Sequence, residues 1–372
     1  MAITTRYFST SSAGAADGTS WANRAQLINA GTWSSVITGF NFSGSDTLLC
    51  LIGPGTYTVT AALASGLFAN APTVANRLMF HGCDSSGVRL VPPLGWSSAQ
   101  ADWDTSGLPV FNTTTNVPTF NLANFAGRML SITASAATSV IGTGLWFDWC
   151  YFSCSTSDTT TNIIANVVLR VYNSILKMTG ASFRAAALIS GNRLRNCRII
   201  NGGGATSGNR HGIEFTGTGQ TGIVEFCTIA GFQGDGIGTS ASTTTAALAS
   251  CRRCVIANCS GNGMKLNGTA SQTVLHEIHS CMITGNGSAA IDGQSAALVL
   301  LSTCRVRNNG SGVVNLSNAP TDWDVDTSAG TDAAEYVDSA NNDFRIKYKS
   351  TFWGKGVGVS DQLPTVAQIA VS

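Results

Sequence analysis

The sequence carries little charge and has no long apolar run. Only 11% of its 372 residues are charged, and the formal net charge is +1. A chain so near neutrality gives no indication of a nucleic acid or an anionic membrane as its partner. No apolar stretch approaches the roughly eighteen residues of a membrane-spanning helix. Met1 to Arg6 lacks the basic and then apolar order of a signal peptide. We therefore expect no nucleic acid partner, no membrane insertion and no signal peptide.

Several motifs for catalysis and metal binding are also missing. The segment from His276 to His279 spaces its two histidines by three residues, whereas the zinc-protease motif needs four. No phosphate-binding loop, dinucleotide fingerprint or Ser/His/Asp order stands in a strand–turn–helix context. The alternating Asp322, Asp324 and Asp326 are typical of a calcium loop, but the glycine that such a loop requires is replaced by Thr327. We expect no cofactor and no metal site.

A short phrase is repeated seven times between Phe147 and Leu316, at intervals of 23 to 30 residues. Each copy has a small anchor residue, an apolar residue three positions earlier and another two positions later. This repetition predicts a solenoid, because one such unit cannot cover its own apolar face. The anchors are Cys150, Ser174, Cys197, Cys227, Cys254, Cys281 and Cys304.

The spacing within each copy indicates strands. Side chains two residues apart face the same side only in extended backbone. Turn residues follow each copy, and a second short strand then carries an inward apolar residue directly preceded by Gly or Ala. Two or three short strands per coil, stacked in parallel about 4.8 Å apart, predict an all-β, single-stranded right-handed parallel β-helix. The inward residues of the second strand are Ile213, Ile237, Met264, Ile291 and Val313.

Both ends of the chain agree with this prediction. Tyr7, Asp17 to Trp21 and Gly53 to Tyr57 form the opening pattern, and Asn342 to Gly356 forms the closing one. With these motifs the chain resembles the pectin-lyase-like superfamily of right-handed parallel β-helices over nearly its whole length. That superfamily holds lyases, hydrolases, adhesins and phage structural proteins, so the resemblance implies the fold and leaves the activity open.

The pattern divides the chain into three regions. Residues 1–45 are expected to form a strand and a short capping helix from Trp21 to Ala30, with Ser20 as its N-cap. Residues 46–318 form the β-helix, interrupted by an insertion near 85–125 whose Trp96 and Trp103 are expected to pack against the coil. Residues 319–372 are expected to form a closing coil and a tail, and the tail is expected to dock as a strand on its own coil, with addition to the sheet edge of a neighbouring chain as the alternative.

The 11 cysteines are odd in number, and most fall on inward positions of the repeat. We interpret them as small, reduced core residues that stack in a ladder. Cys251 and Cys254 form a C-x-x-C motif, but both already occupy inward positions, so packing is expected there as well.

Stacking brings residues of neighbouring coils together, so candidate catalytic groups must be sought across coils. Glu214 and Asp235 lie one coil apart near one corner, with His211 beside Asp235 and Lys265 farther along. An inverting glycosidase would use Asp235 as general acid and Glu214 as the base that activates water. A lyase would use Lys265 as its base. A second outward column, in which Glu225 stands between Arg195 and Arg252, is expected to be a surface ion-pair ladder.

Three classes of function remain open. The first is a structural bacteriophage virion protein, a capsid decoration or tail-associated protein that is assembled in the host cytoplasm and displayed on the particle. Such a protein would bind other virion proteins, associate as a homotrimer and contact a host surface polysaccharide. The second is a polysaccharide lyase or glycoside hydrolase of the tailspike type. The third is a non-enzymatic carbohydrate-binding adhesin. The scarcity of paired carboxylates favours the first class. We therefore expect that the chain has no enzymatic activity.

Overall fold

The computed structural model describes a column of stacked coils. The strands of successive coils form three ladders, which we name A, B and C in the order in which one coil enters them. Ladders A and C belong to one 20-stranded sheet, and ladder B is a separate 11-stranded sheet. The structure describes residues 2–43, 46–93, 95–113, 118–134, 140–155, 162–180, 185–189, 193–202, 211–215, 221–239, 247–267, 274–294, 297–315, 323–325, 336–339 and 343–346.

Ladder A holds the segment that precedes each anchor residue. Its strands pair in parallel from one coil to the next. They are Ile3–Ser9, Thr47–Ile52, Leu78–Gly82, Phe125–Arg128, the ends of Val140–Asp148 and Asn162–Tyr172, Arg193–Arg195, Thr221–Glu225, Ala247–Arg252, Val274–His279 and Ala297–Ser302.

Ladder B holds the segment that follows each anchor, and it is parallel throughout. Its strands are Gly55–Val59, Pro109–Thr113, Ser131–Ala134, Tyr151–Cys154, Ile175–Met178, Arg198–Asn201, Thr228–Ala230, Val255–Ala257, Met282–Thr284, Cys304–Arg307 and Trp323–Val325.

Ladder C holds the second short strand of the sequence repeat. Its pairs are likewise parallel. Its strands are Leu63–Ala64, Phe120–Asn121, the beginnings of Val140–Asp148 and Asn162–Tyr172, Ala185–Ile189, His211–Phe215, Ile237–Thr239, Met264–Asn267, Ala289–Gln294 and Ser311–Val314.

The inward columns of the repeat are confirmed. All seven anchors and all seven residues two positions later are buried, and the later residues pair in register from Phe152 to Val306. Ile213, Ile237, Met264 and Ile291 are buried in the same way on ladder C. The side chain of Val313 lies outside the described residues. Equivalent side chains thus pile up along the axis, and the predicted parallel β-helix is confirmed.

Each coil turns from ladder A to ladder B at the residue directly before the anchor. That residue is always left-handed, with φ between 50° and 54°. Among the seven, only Asn173 and Asn196 are of a type that tolerates this conformation readily. The others are held there by the register of both ladders. The seven residues are Trp149, Asn173, Asn196, Phe226, Arg253, Ser280 and Thr303.

A column of small residues explains the Gly or Ala before each inward residue of ladder C. Gly212, Gly236, Gly263 and Ala290 occupy equivalent positions in four successive coils. A Cβ atom at Gly236 would lie 2.5 Å from Cγ2 of Ile256 and 2.8 Å from the carbonyl oxygen of Gly263. At Gly236 the ladder C backbone therefore passes too close to Ile256 and to the next coil to admit a Cβ atom without displacement.

We expect Gly236→Val to lower the free energy of unfolding by about 3 kcal/mol, because the added methyl groups must displace backbone as well as a side chain. Urea denaturation monitored by circular dichroism measures the change. Gly107→Val is the control, since no heavy atom lies within 4 Å of the position of its Cβ. Equal unfolding midpoints for the two variants would contradict this packing.

The predicted helix from Trp21 to Ala30 is wrong. The edge of the first coil needs hydrogen-bond partners, and Ala25–Gln26 supplies them by pairing in parallel with Ile3–Ser9. An antiparallel pair, Ile28–Asn29 with Thr32–Trp33, follows it. The only α-helix among the described residues is Ser35–Thr38, N-capped by Ser34, and a 3₁₀ turn spans Ser65–Leu67. No helix in the described part of the chain is long and apolar enough to cross a membrane.

The end of the solenoid is closed by aromatic packing instead. Trp33 is buried against Phe80, Phe111 and Phe120, with ring centroids 6.2 to 6.3 Å apart. Its indole nitrogen donates a hydrogen bond to the carbonyl oxygen of Ala61, at 2.8 Å. A hairpin that carries Trp33 packs here in place of the predicted capping helix, and we name residues 21–43 the N-terminal cap.

The insertion covers the outer side of the middle strands of ladder B. The segment that leaves the coils is residues 83–108, shorter than the predicted 85–125, because Pro109–Thr113 and Phe125–Arg128 are strands of ladders B and A. Trp96 and Trp103 pack on the aromatic and aliphatic side chains of the coils beneath, as predicted. Asp102 accepts hydrogen bonds from Lys177 at 3.1 Å and from the buried Arg198 at 2.9 Å.

The C-terminal hairpin also lies on ladder B. Tyr336–Asp338 and Asp343–Ile346 pair antiparallel, whereas the sequence predicts a closing coil there. Tyr336 and Phe344 are buried against outward ladder B residues, and the Phe344 amide donates to the carbonyl oxygen of Ala99 in the insertion. The hairpin residues thus cover the part of the outer side of ladder B that is formed by Ile200, Ala230, Val255, Ala257 and Met282. The predicted tail strand, Leu363 to Val371, lies outside the described residues.

Candidate functional site

The four residues proposed for catalysis lie on ladder C and on the turn before it. His211 and Glu214 are on His211–Phe215, Asp235 precedes Ile237–Thr239 by two residues, and Lys265 is on Met264–Asn267. Glu214, Gly238 and Lys265 form one outward column that continues to Asp292. We name His211, Glu214, Asp235 and Lys265 the acid–base cluster.

His211 and Asp235 are in direct contact. The Nδ1 atom of His211 lies 3.3 Å from a carboxylate oxygen of Asp235 and 3.2 Å from the Asp235 amide nitrogen. The two contacts require opposite states of Nδ1, since the amide donates to a bare nitrogen and the carboxylate accepts from a protonated one. The ring lies against Gly238, whose Cβ would be 3.3 Å from Nδ1. A side chain at 238 would displace the ring, so Gly238 makes room for it.

The surroundings of Asp235 favour its ionised form. Burial raises the pKa of its carboxyl group, but the contact with His211 and two hydrogen bonds from Asn262, at 2.8 Å and 2.9 Å, outweigh burial and hold the pKa below its usual value. A carboxylate with a lowered pKa has no proton to donate at neutral pH. Asp235 is therefore better placed to orient His211 than to act as the acid of an inverting glycosidase.

We expect the stability conferred by Asp235 to depend on pH. Because its folded-state pKa is lowered, the contribution is full above the usual value of 3.8 and is lost as the pH falls through the folded-state pKa. Asp235→Asn should cost about 1.5 kcal/mol at pH 7, the value of a hydrogen bond to a charged group. Urea denaturation of both proteins between pH 7 and pH 2.5 measures the difference, which should shrink toward zero in acid. A difference that stays constant would show that the carboxylate charge has no role.

A larger group of charged and aromatic side chains lies on the outward side of ladder A. It forms two neighbouring columns, one with Trp146, Arg170 and Arg193, and one that runs from Arg128 to His279. We name this surface the arginine face. The second column comprises Arg128, Asp148, Tyr172, Arg195, Glu225, Arg252 and His279.

The carboxylates of the arginine face are matched to arginines. Arg193 donates two hydrogen bonds to Glu225, from Nε at 3.0 Å and from Nη2 at 2.6 Å. Arg128 lies 3.4 Å from Asp148, and a third pair joins Arg252 to Glu277 at 3.6 Å. The predicted register of Glu225 between Arg195 and Arg252 is confirmed, but its ion pair is with Arg193.

Two arginines of these columns have no carboxylate partner among the described residues. Arg170 is exposed, and Arg195 lies over the ring of Phe226, 5.5 Å from its centroid. Arg253, at the corner of the next coil, lies 5.7 Å from the same ring. Because an aromatic ring leaves the N–H groups of a guanidinium without acceptors, these cations remain able to bind an anionic ligand.

One end of the arginine face is a groove of about 230 Å³. Trp146, which is 39% exposed, meets Tyr172 edge to face with centroids 6.2 Å apart, and its ring forms one wall of the groove. Arg89 and Arg128 line the groove with His81. Burial and the two arginines lower the pKa of His81 to about 4, so the ring is neutral at pH 7. The positive charge of the groove therefore comes from Arg89 and Arg128, and Asp148, which also lines the groove, lies 3.4 Å from Arg128.

Sequence reasoning finds one column of this face and misses the other. It predicts the column with Arg195, Glu225 and Arg252 as an ion-pair surface, whereas it does not single out Trp146, Arg170 and Arg193. These three stand four positions before their anchors, two residues upstream of the predicted column. The same period-2 rule that defines that column is the signal that could have found them.

No protein-family model matches the chain, and a search of curated proteins finds no match. Among solved structures, the chain is similar to pectate lyase Pel9A, with 16% identity, 95% of this chain and 90% of that chain covered, and a TM-score of 0.47. It is also similar to the periplasmic alginate epimerase AlgG, with 10% identity, 75% and 76% covered, and a TM-score of 0.32. A third is the A-module of the Azotobacter vinelandii mannuronan C-5 epimerase AlgE6, with 9% identity, 74% and 89% covered, and a TM-score of 0.26. At these identities the likeness concerns the fold alone.

Proposed function

We propose that the chain is a non-enzymatic β-helical protein that binds an acidic polysaccharide along the arginine face. The observation that carries the proposal is the surplus of arginines over carboxylates on ladder A, beside the exposed Trp146 and the half-buried Tyr172. A guanidinium binds a carboxylate through two parallel hydrogen bonds. The indole ring offers an apolar surface to a sugar ring, and the coils repeat about every 4.8 Å, a spacing that suits a linear polymer.

The carboxylates on the face favour a uronate polymer over a nucleic acid. Asp148, Glu225 and Glu277 lie among the arginines, where a ligand must offer hydrogen-bond donors as well as anions, and the backbone of DNA has no such donor. A polyuronate carries hydroxyl groups as well as carboxylates. Its hydroxyl groups can donate to Asp and Glu while its carboxylates accept from Arg.

Binding assays with matched polymers test the proposal. The protein should bind polygalacturonate or alginate in titration calorimetry, and the affinity should fall as salt is added. A neutral glucan of the same length should show no binding. Equal binding of the neutral glucan, or tighter binding of single-stranded DNA, would overturn the assignment of the face.

A virion role extends this proposal. The 11 cysteines are buried as free thiols, which is the state of a protein that folds in a reducing cytoplasm. A protein that folds there and binds a host polysaccharide outside the cell fits a phage decoration or tail-associated protein, assembled as a homotrimer. Analytical ultracentrifugation of the purified protein should give the mass of a trimer. When the protein is mixed with phage particles and centrifuged, it should be found in the pellet with them. A monomer that does not associate with particles would remove this role.

The acid–base cluster supports a second candidate, a polysaccharide lyase or hydrolase. The observation that favours it is the contact of His211 with an ionised Asp235, which is the arrangement that orients a general base. In a lyase, His211 or Lys265 would remove the proton next to a uronate carboxyl group. Release of unsaturated or reducing ends from the same polymers measures this activity. Cleavage that is lost in His211→Gln would place catalysis on ladder C, and the absence of cleavage favours the binding role.

A further inference from the structure

Three cysteines come together where two coils meet inside the solenoid. Cys251 and Cys254 flank the left-handed corner at Arg253, and Cys281 is the anchor of the next coil. Their sulfur atoms all lie within 4.8 Å of one another, and the sulfurs of Cys251 and Cys281 are 3.7 Å apart. All three side chains are fully buried. The C-x-x-C motif thus supplies two thiols and the stacking supplies the third.

We propose that these three thiols form a binding site for a soft, thiophilic metal ion, with Cu(I) as its ligand. Metal–sulfur bonds of about 2.3 Å place the sulfurs of one site about 4 Å apart, which is close to the spacing found here. A disulfide would need a sulfur–sulfur distance of about 2.05 Å. The cluster is therefore already spaced for an ion at its centre.

The donor set selects Cu(I). The cluster contains sulfur only, and soft thiolates favour Cu(I) over magnesium, calcium or manganese. A structural zinc site needs a fourth ligand, and the cluster formed by the described residues has three. Cu(I) carries a single positive charge, and its oxidation state does not change when it binds. Each thiol that ligates the ion as thiolate releases one proton to solvent.

Among the anchor cysteines, only Cys254 has a second cysteine three residues earlier. Cys150, the anchor four coils before Cys254, has its thiol 3.5 Å from the carbonyl oxygens of Gly127 and Asp148, much as Cys254 contacts two equivalent carbonyl oxygens, but Phe147 occupies the position of Cys251. No other cysteine in the described part of the chain belongs to a group of three metal-ligating side chains. The site is therefore a property of the coil that carries two cysteines, and Cys150 offers a control in the same column.

Anaerobic titration of the whole protein with Cu(I) against a colorimetric Cu(I) chelator tests the site. The protein should retain about one Cu(I) per chain, and the bound copper should emit the luminescence of a copper–thiolate centre that is shielded from water. X-ray absorption of the wild-type complex should show three sulfur neighbours per copper. No retained copper, or copper surrounded by nitrogen and oxygen, would overturn the proposal.

The variants that test the site use residues already found at equivalent positions of other coils, so that the fold is retained. Cys251→Val copies Val224, its register partner in the preceding coil, and Cys281→Ser copies Ser174 in the anchor column. Each should fold, as circular dichroism will show, and should weaken Cu(I) binding at least tenfold. Cys150→Ser should bind Cu(I) as the wild type does. Unchanged affinity in Cys251→Val, or equal loss in Cys150→Ser, would show that the copper binds elsewhere.

Discussion

Arg170→Glu combined with Arg195→Glu is expected to weaken binding of polygalacturonate by about 100-fold or more. Each guanidinium that bonds a carboxylate contributes about 1.5 kcal/mol, which is about tenfold in Kd, and each glutamate adds repulsion. Both residues stand outward on ladder A, and neither has a carboxylate partner among the described residues. Their replacement therefore breaks no ion pair seen in the fold. Titration calorimetry at one fixed salt concentration gives the change in Kd.

The matched control for this variant is Arg24→Glu combined with Arg305→Glu. It has the same net charge, but Arg24 lies in the N-terminal cap and Arg305 on ladder B. The control should keep the wild-type Kd within about twofold. If both double variants lose binding equally, the attraction is a general effect of net charge and the arginine face has no special part in it.

Phe120→Ala is expected to lower the free energy of unfolding by about 3 to 5 kcal/mol, the usual cost of removing a buried phenyl ring. Phe120 is fully buried, with ring centroids 4.5 Å from that of Phe125, 5.5 Å from Phe111 and 5.9 Å from Phe80. Trp33 of the cap also packs on it. The cavity left by the ring would thus loosen the first coils and the cap together.

Urea denaturation measures this loss, and Leu67→Ala is the control. Leu67 is 45% exposed, so its truncation should change the stability by less than about 0.5 kcal/mol. A solenoid can unfold in parts, so fluorescence and circular dichroism should be compared for coincident transitions. A loss below about 1 kcal/mol for Phe120→Ala would mean that the aromatic packing at this end does not support the coils.

The repeat predicts the interior of the fold because its physics is periodic. Burial requires the same apolar columns in every coil, so the anchors and the residues two positions later follow from the sequence alone. The turns after ladder B are predictable for the same reason, since Gly231, Asn258, Gly285 and Asn308 all have positive φ there. The left-handed corner before each anchor could not be predicted. Gly or Asn usually marks such a position, but here it is occupied by residues such as Trp149, Phe226 and Arg253.

Features that depend on contacts far along the chain could not be predicted. The segment from Trp21 to Ala30 has a helix-like N-cap, but the open edge of Ile3–Ser9 draws it into a strand. Neither the course of residues 83–108 over ladder B nor the return of Phe344 to Ala99 leaves a periodic mark in the sequence. Counting coils is enough to place His211 beside Asp235, whereas the lowered pKa of Asp235 also depends on its hydrogen bonds from Asn262.

Protection of individual arginines from chemical modification tests the central claim most directly. Phenylglyoxal would be applied to the native protein with and without a saturating acidic polysaccharide, and the modified peptides quantified by mass spectrometry. The arginine face predicts that Arg170, Arg195 and Arg252 are protected by the polymer, whereas Arg305 on ladder B reacts equally in both samples. Equal modification of all four arginines with and without polymer would contradict the account.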